Sequence, residues 1–182
     1  VSYCQIRTFS EDPKLDGISI PKQSDKASVS GGAMAFNRAF TELAFPIPES
    51  LVNEDTWLSC FVRFYGDSID VYEVYKVGLL YRLHDNNSKK RGIDFDSQKE
   101  ADFKRAFAYM LFIEKFYDKL SSDERNQLAS TIAGGCLIYK RSKASIIFMA
   151  DFDLKSKVKA LFQSSAILHR IKNKFYRLLA GR

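Results

Sequence analysis

Two adjacent carboxylates, Glu54 and Asp55, open a stretch in which Trp57, Leu58, Phe61, Val62 and Phe64 fall at helical spacing. Acids in a helix's first turn are stabilised by the positive end of its dipole, by about 0.3–1 kcal/mol, and a purely structural role accounts for the pair. The same field favours an ionised carboxylate, the form a general base needs to accept a proton from a hydroxyl. Trp57 could offer a flat apolar face to a sugar ring, although a lone tryptophan on an amphipathic helix commonly fills the core. The second candidate is His84, where a strand-like run gives way to a polar loop beside Arg82 and Asn86. A histidine there usually makes surface hydrogen bonds. With Arg82 two positions back it could also bind an anion or a metal coordinated to one, because neutral imidazole is a good ligand and guanidinium grips phosphate bidentately.

The elements that must position these groups can be read from pattern. Residues 1–9 alternate imperfectly and suit a strand, and 10–30, rich in Ser, Asp, Lys and Pro, read as a loop. In GGAMAFNR, residues 31–38, two glycines allow a tight backbone approach before a short strand or turn. Pro46 and Pro48 break any helix begun at Arg38. The spacing predicts a helix over 54–65, capped by Asn53 and stopped at Gly66. β-Branched and aromatic residues predict strands over 69–75 and 77–83, or one strand with a bend, and 85–92 is a polar loop.

Beyond residue 90 the texture is helical. Phe103, Phe107, Met110, Leu111, Ile113 and Phe116 or Tyr117 form one broad stripe, and Ser121 with Glu124 is a capping-box pair opening a helix toward Ala133. Further helices are predicted around 135–150 and 155–180.

Composition narrows the classes. With 182 residues, 46% of them hydrophobic, the chain can bury a core and is not disordered. The net charge of +6 is unevenly spread: Lys140–Arg182 holds 11 Lys and Arg against 2 Asp, a net of +9 that leaves −3 for residues 1–139. That confinement, without a zinc or helix-turn-helix signature, argues against nucleic acid as the partner. Cys4, Cys60 and Cys136 are scattered and odd in number, which argues against a disulfide framework or structural zinc. No apolar run approaches the roughly 20 residues of a bilayer span. A strand-like start at Val1 without methionine suggests a piece of something longer.

In order along the chain, GGAMAFNR (31–38), FPIPESLVNEDTWL (45–58) and YRLHDNNS (81–88) resemble the C-terminal half of a bacterial family 2 glycosyltransferase. The resemblance covers roughly residues 1–90 and implies a fold class of α/β, or α+β within this stretch. Residues 1–90 would be the acceptor-side half of a glycosyltransferase A-type catalytic domain, with part of its mixed sheet, and 91–182 a helical C-terminal appendage. It also implies roles. Asp55, with Glu54, matches the acidic pair whose base deprotonates the acceptor hydroxyl for in-line attack on the anomeric carbon with inversion. Gly31 and Gly32 match a loop floor near sugar and acceptor. His84 matches a histidine that helps hold the divalent metal, Mn or Mg, or the nucleotide diphosphate. Arg82 and Asn87 match neighbours that shape that loop, and Trp57 joins the substrate-binding set.

The family's DxD motif lies upstream of the glycine segment. Here the only DxD strings, Asp94-Phe95-Asp96 and Asp151-Phe152-Asp153, lie downstream of the acidic pair and read as solvated acids near helix starts. The absence of QxxRW points to single-sugar, non-processive transfer. The implied partners are a nucleotide-sugar donor and a glycan or lipid-linked acceptor, in bacterial surface polysaccharide assembly such as capsule or lipopolysaccharide. These residues alone are expected to be inactive, since the donor platform would lie on the other half.

Residues 164–182 form a basic amphipathic helix: Ile167, Leu168, Ile171, Phe175, Leu178 and Leu179 are interleaved with Arg170, Lys172, Lys174 and Arg177. Packing on the preceding helices accounts for it; so does peripheral attachment to an anionic membrane. The expected location is accordingly cytoplasmic, with a peripheral position on the inner face of the cell membrane as the sharper reading. An exposed sheet edge would invite pairing with another chain, a homo-oligomer included. The alternative to an enzyme is a non-catalytic helical module that binds a membrane or a protein.

Overall fold

The computed structural model describes residues 1–51, 54–65, 68–84, 94–150 and 152–179, with backbone alone at 172, 173 and 175–179. Strand and helix are mixed, as the pattern predicts, and the chain divides into two compact units, Val1–Lys90 and Arg91–Arg182.

In the first unit the central strand is β1, Ser2–Ser10. Tyr3, Gln5, Ile6 and Thr8 are buried along it while Arg7 and Phe9 are exposed. On one edge β1 pairs antiparallel with two short strands, β2 (Ser19–Ile20, Ile6 opposite Ile20) and β3 (Met34–Ala35, Tyr3 opposite Met34). On the other it pairs parallel with β4, Tyr72–Leu83, along its whole length. β4 is the bent strand among the two predicted alternatives: its register shifts at Cys4/Gln5 and again at Gln5/Ile6. Gly78 sits at the bend because a Cβ there would stand 2.6 Å from Cys4 Sγ.

Buried polar side chains fix the loops of this unit. The Thr8 hydroxyl donates to the carbonyl of Leu15 (2.6 Å) and accepts from Ile18 N–H (3.0 Å), closing a turn that needs Gly17 at φ +69°. The Gln5 amide reaches the carbonyls of Gln23, Ser24 and Lys26 at 3.3, 2.9 and 3.0 Å. The run read as a plain loop over 10–30 is therefore held at both ends, and it contributes β2.

α1, Arg38–Ala44, starts at Asn37, whose side-chain oxygen accepts from Phe40 N–H, and ends before Pro46. α2, Glu54–Phe64, matches the predicted span; its expected cap Asn53 and stop Gly66 lie outside the described residues. α2 is buried over most of its surface, and Phe61 meets Phe40, Trp57 and Tyr65 edge-on with ring centroids 5.3, 5.9 and 6.0 Å apart. This aromatic cluster fixes where the helix's first turn points.

The second unit is helical. α3, Phe95–Phe116, and α4, Ser122–Tyr139, form an antiparallel hairpin, with Ala106 against Gly135 and the Phe103 ring 4.5 Å from that of Tyr139. The Ser121–Glu124 capping box is formed. Two expectations are corrected. The buried stripe of α3 runs through Ala106, Tyr109, Phe112 and Phe116, with Met110 exposed, because packing against α4 brings Ala106 against Gly135 and so sets which side of the helix faces inward. α4 does not stop at Ala133 but passes through Gly134 and Gly135. Their missing side chains admit the Phe152 ring and the Ala106 methyl, contacts that offset the roughly 1 kcal/mol each glycine costs in a helix.

α5 (Lys143–Phe148), α6 (Leu154–Ser164) and α7 (Ala166–Leu179) complete the unit. The helix expected over 155–180 is broken at Ser165, which is extended at φ −121°, ψ 118°, while the Ser164 hydroxyl donates to the Leu161 carbonyl. His169 on α7 is buried against the Phe95 ring. No helix among the described residues is long and apolar enough to cross a membrane.

Asp94 and Asp153 are N-caps, accepting from the N–H groups of Asp96 and Ser97 and of Ser156, as their reading near helix starts predicts; Asp151 lies outside the described residues. Hydrogen bonds from the side chain and backbone of Ser97 lower the Asp94 pKa, and those of Ser156 lower that of Asp153. A carboxyl more acidic in the folded chain stabilises it above its unfolded value of about 3.9, and the contribution is lost as pH falls through the depressed value. Urea unfolding followed by helical ellipticity from pH 6 to pH 3 should show a weakening that Asp94→Asn/Asp153→Asn lessens. Asparagine caps a helix without titrating.

Candidate active site

The candidate site grows from the first turn of α2. A 3₁₀ turn, Gly31–Ala33, leads into β3, so the pairing of β3 with β1 sets its position. The aromatic cluster under α2 sets the position of Asp55. Between them Gly31 N–H donates to Asp55 Oδ1 at 2.6 Å. A Cβ at Gly31 would collide with the same carboxylate oxygen, so any other residue there would make the Asp55 side chain turn away. At Gly32 an added Cβ would come within 3.4 Å of Leu79 Cδ2, an ordinary contact at its limit. Gly31→Ala should therefore break the Asp55 hydrogen bond and cost about 1.5–3 kcal/mol, the value of a bond to a charged group, while Gly32→Ala stays within about 0.5 kcal/mol. Urea midpoints of the two variants measure the contrast.

The clamp orients the carboxylate. Oδ1 is held, and among the described residues nothing else bonds to Asp55, which leaves Oδ2 for an incoming proton. The group is half-buried and Glu54 beside it is exposed, both at the helix end whose unpaired N–H groups favour negative charge. A fixed, half-buried carboxylate with one open oxygen is equipped to accept a proton from a hydroxyl.

Trp57 is not part of that surface. The indole is fully buried, its Nε1 donates to the Ala44 carbonyl at 2.8 Å, and its ring meets Phe61 edge-on. The flat face expected for a sugar ring belongs to the core, because Trp57 lies on the side of α2 that packs against α1.

Arg82 and His84 share one side of the end of β4, two residues apart, and both are exposed. They sit where the parallel strands β1 and β4 both end, the usual location of ligands in α/β sheets. Arg82 Nη2 is 4.0 Å from Glu11 Oε1, an exposed pair worth little. His84 is five positions beyond Leu79, the neighbour of Gly32, or about 16 Å along the strand. The structure thus brings Gly31, Gly32 and Asp55 together and holds Arg82 and His84 apart from them at the strand end. Asn87 lies outside the described residues.

Among the described residues no three His, Cys, Asp or Glu side chains come together in a metal-binding arrangement. Of the residues matched to the family, His84 would contribute one ligand to a divalent metal. Cys60 offers no nucleophile: burial pushes its thiol up to about 12, and Sγ donates to the Thr56 carbonyl at 3.1 Å.

Sequence pattern missed Tyr3. Burial first, then a hydrogen bond with Glu73, pushes its phenol up to about 12, and Glu73 also accepts from Ala27 N–H, tying β4 to the loop before the glycines. The signal available was a strand whose inward positions include polar side chains, Tyr3, Gln5 and Thr8. A scan of protein-family models and searches of curated proteins and of solved structures return no match for this chain.

Proposed function

We propose that the chain is part of an inverting, non-processive glycosyltransferase, its residues 1–90 forming the acceptor side of a glycosyltransferase A-type catalytic domain. The observation that carries the reading is the Gly31–Asp55 clamp, which joins two of the three motifs behind the resemblance through one hydrogen bond. In this reading Asp55 Oδ2 takes the proton of an acceptor hydroxyl. The hydroxyl oxygen bonds to the anomeric carbon as the bond to the diphosphate oxygen breaks, and the electron pair leaves with the nucleoside diphosphate. Attack from the opposite face inverts the configuration.

Gly31 and Gly32 floor the acceptor side, and Arg82 and His84 at the end of β4 serve the diphosphate. The donor is a nucleotide sugar and the acceptor a glycan or lipid-linked sugar of a bacterial surface polysaccharide. Mn²⁺ or Mg²⁺ is included in the assay because the resemblance implies a divalent metal. The test is transfer by the gene's full translation product, using a panel of nucleotide sugars, beside its Asp55→Asn variant. Absence of transfer with every donor would leave the helical binding module as the better account.

A further inference from the structure

We propose that α5, α6 and α7 form a docking surface for an anionic lipid bilayer, independently of the catalytic reading. On α6 the buried positions are Ala160 and Ser164, with Lys157 and Leu161 half-buried beside them, and the outward side carries two adjacent rows at four-residue spacing, Leu154–Val158 and Lys155–Lys159. α7 repeats the arrangement. Leu168 and His169 face inward, and Ile167–Ile171 stands exposed beside Arg170–Lys174. α5 adds Phe148. The apolar members are unusually open, with Phe148 84%, Leu154 79% and Ile167 69% exposed. Large apolar side chains left in water on successive helices mark a surface that another phase or partner covers.

Charge identifies that partner. Residues 140–182 carry a net +9 while the rest of the chain is net −3, and every one of the four rows is apolar or basic. Apolar rows flanked by basic ones match a bilayer whose headgroups are negative and whose acyl chains begin a few ångströms below. Since no described helix can span a membrane, the contact is interfacial.

The experiment is co-sedimentation of the full chain with vesicles of phosphatidylcholine, pure or with about 30 mol % phosphatidylglycerol. Binding should require the anionic lipid and fall as salt rises from about 0.05 to about 0.5 M. Each Lys or Arg at the surface is worth roughly fivefold in partition, so Lys155→Glu/Lys159→Glu should bind at least about 25-fold more weakly. Leu154→Ser/Val158→Ser and Ile167→Ser/Ile171→Ser should each weaken binding at least about tenfold. All three change exposed side chains, and helical ellipticity checks that the fold is kept. Equal binding to neutral vesicles, no binding to anionic ones, or variants that bind like the parent would overturn the proposal. So would a dimer, seen by sedimentation velocity, that the serine variants dissociate, because the rows would then join two copies of the chain.

Discussion

Asp55→Asn should reduce sugar transfer by about 10²–10⁴-fold and leave the fold intact, the range a positioned general base contributes. The substitution separates charge from geometry. An asparagine side-chain oxygen can still accept from Gly31 N–H, so the 3₁₀ turn and the start of α2 keep their positions, but the amide cannot take up a proton at the second oxygen. If the pair only begins a helix, the variant costs about 1 kcal/mol, from the dipole interaction and from the lost charge on the Gly31 bond, and transfer is unchanged. Steady-state rates of the full translation product, beside a urea curve for each protein, distinguish the two. Gly31→Ala is the complement: it keeps the carboxylate and loses its orientation. A base that depends on orientation predicts loss of transfer in both variants.

The largest effect on stability is expected at Trp57. Trp57→Ala removes a fully buried indole from contact with Phe61 and leaves the Ala44 carbonyl without its donor. Large-to-small changes of an aromatic core residue cost about 3–5 kcal/mol, much of what a marginally stable domain of this size has. Trp57→Phe keeps most of the ring and loses the N–H, so about 1–3 kcal/mol is expected. Urea unfolding followed by far-ultraviolet ellipticity measures both. A tryptophan used for sugar binding would behave in the opposite way, losing transfer while the unfolding midpoint stayed put.

The elements bearing the candidate site were legible where the local signal was strong. α2 showed itself through an acidic first turn and a 3- and 4-residue apolar spacing, β1 through its imperfect alternation, and β4 through its β-branched and aromatic content. The glycine pair was legible as a place of close approach; that the approach is to Asp55, 24 residues away, was not, because no periodicity encodes a hydrogen bond between a turn and a helix start. Trp57 illustrates the same limit. A helix as apolar as α2 has no clear outer face, so the sequence left open which side of it α1 covers.

In the helical unit the errors have a common cause. The helix end expected near Ala133 and the unbroken helix expected over 155–180 were both decided by tertiary contact and local hydrogen bonding. The glycines accept Phe152 and Ala106 and the helix continues, whereas Ser165 breaks it. Apolar residues on nearly every side of α3 likewise blurred its buried stripe, and packing against α4 decided it.

Cys60 has a use that its chemistry alone would not suggest. Fully buried with its thiol held at about 12, it has almost no thiolate near neutral pH and no path to a reagent while α2 is packed. An alkylating agent reaches it only during openings of the aromatic core, so its labelling rate is a clock for those openings, proportional to their equilibrium population when reclosing is fast. Cys4 and Cys136 are only half-buried and more open to a reagent. The slow third of the thiol count thus times the breathing of residues 1–90 without any change to the protein.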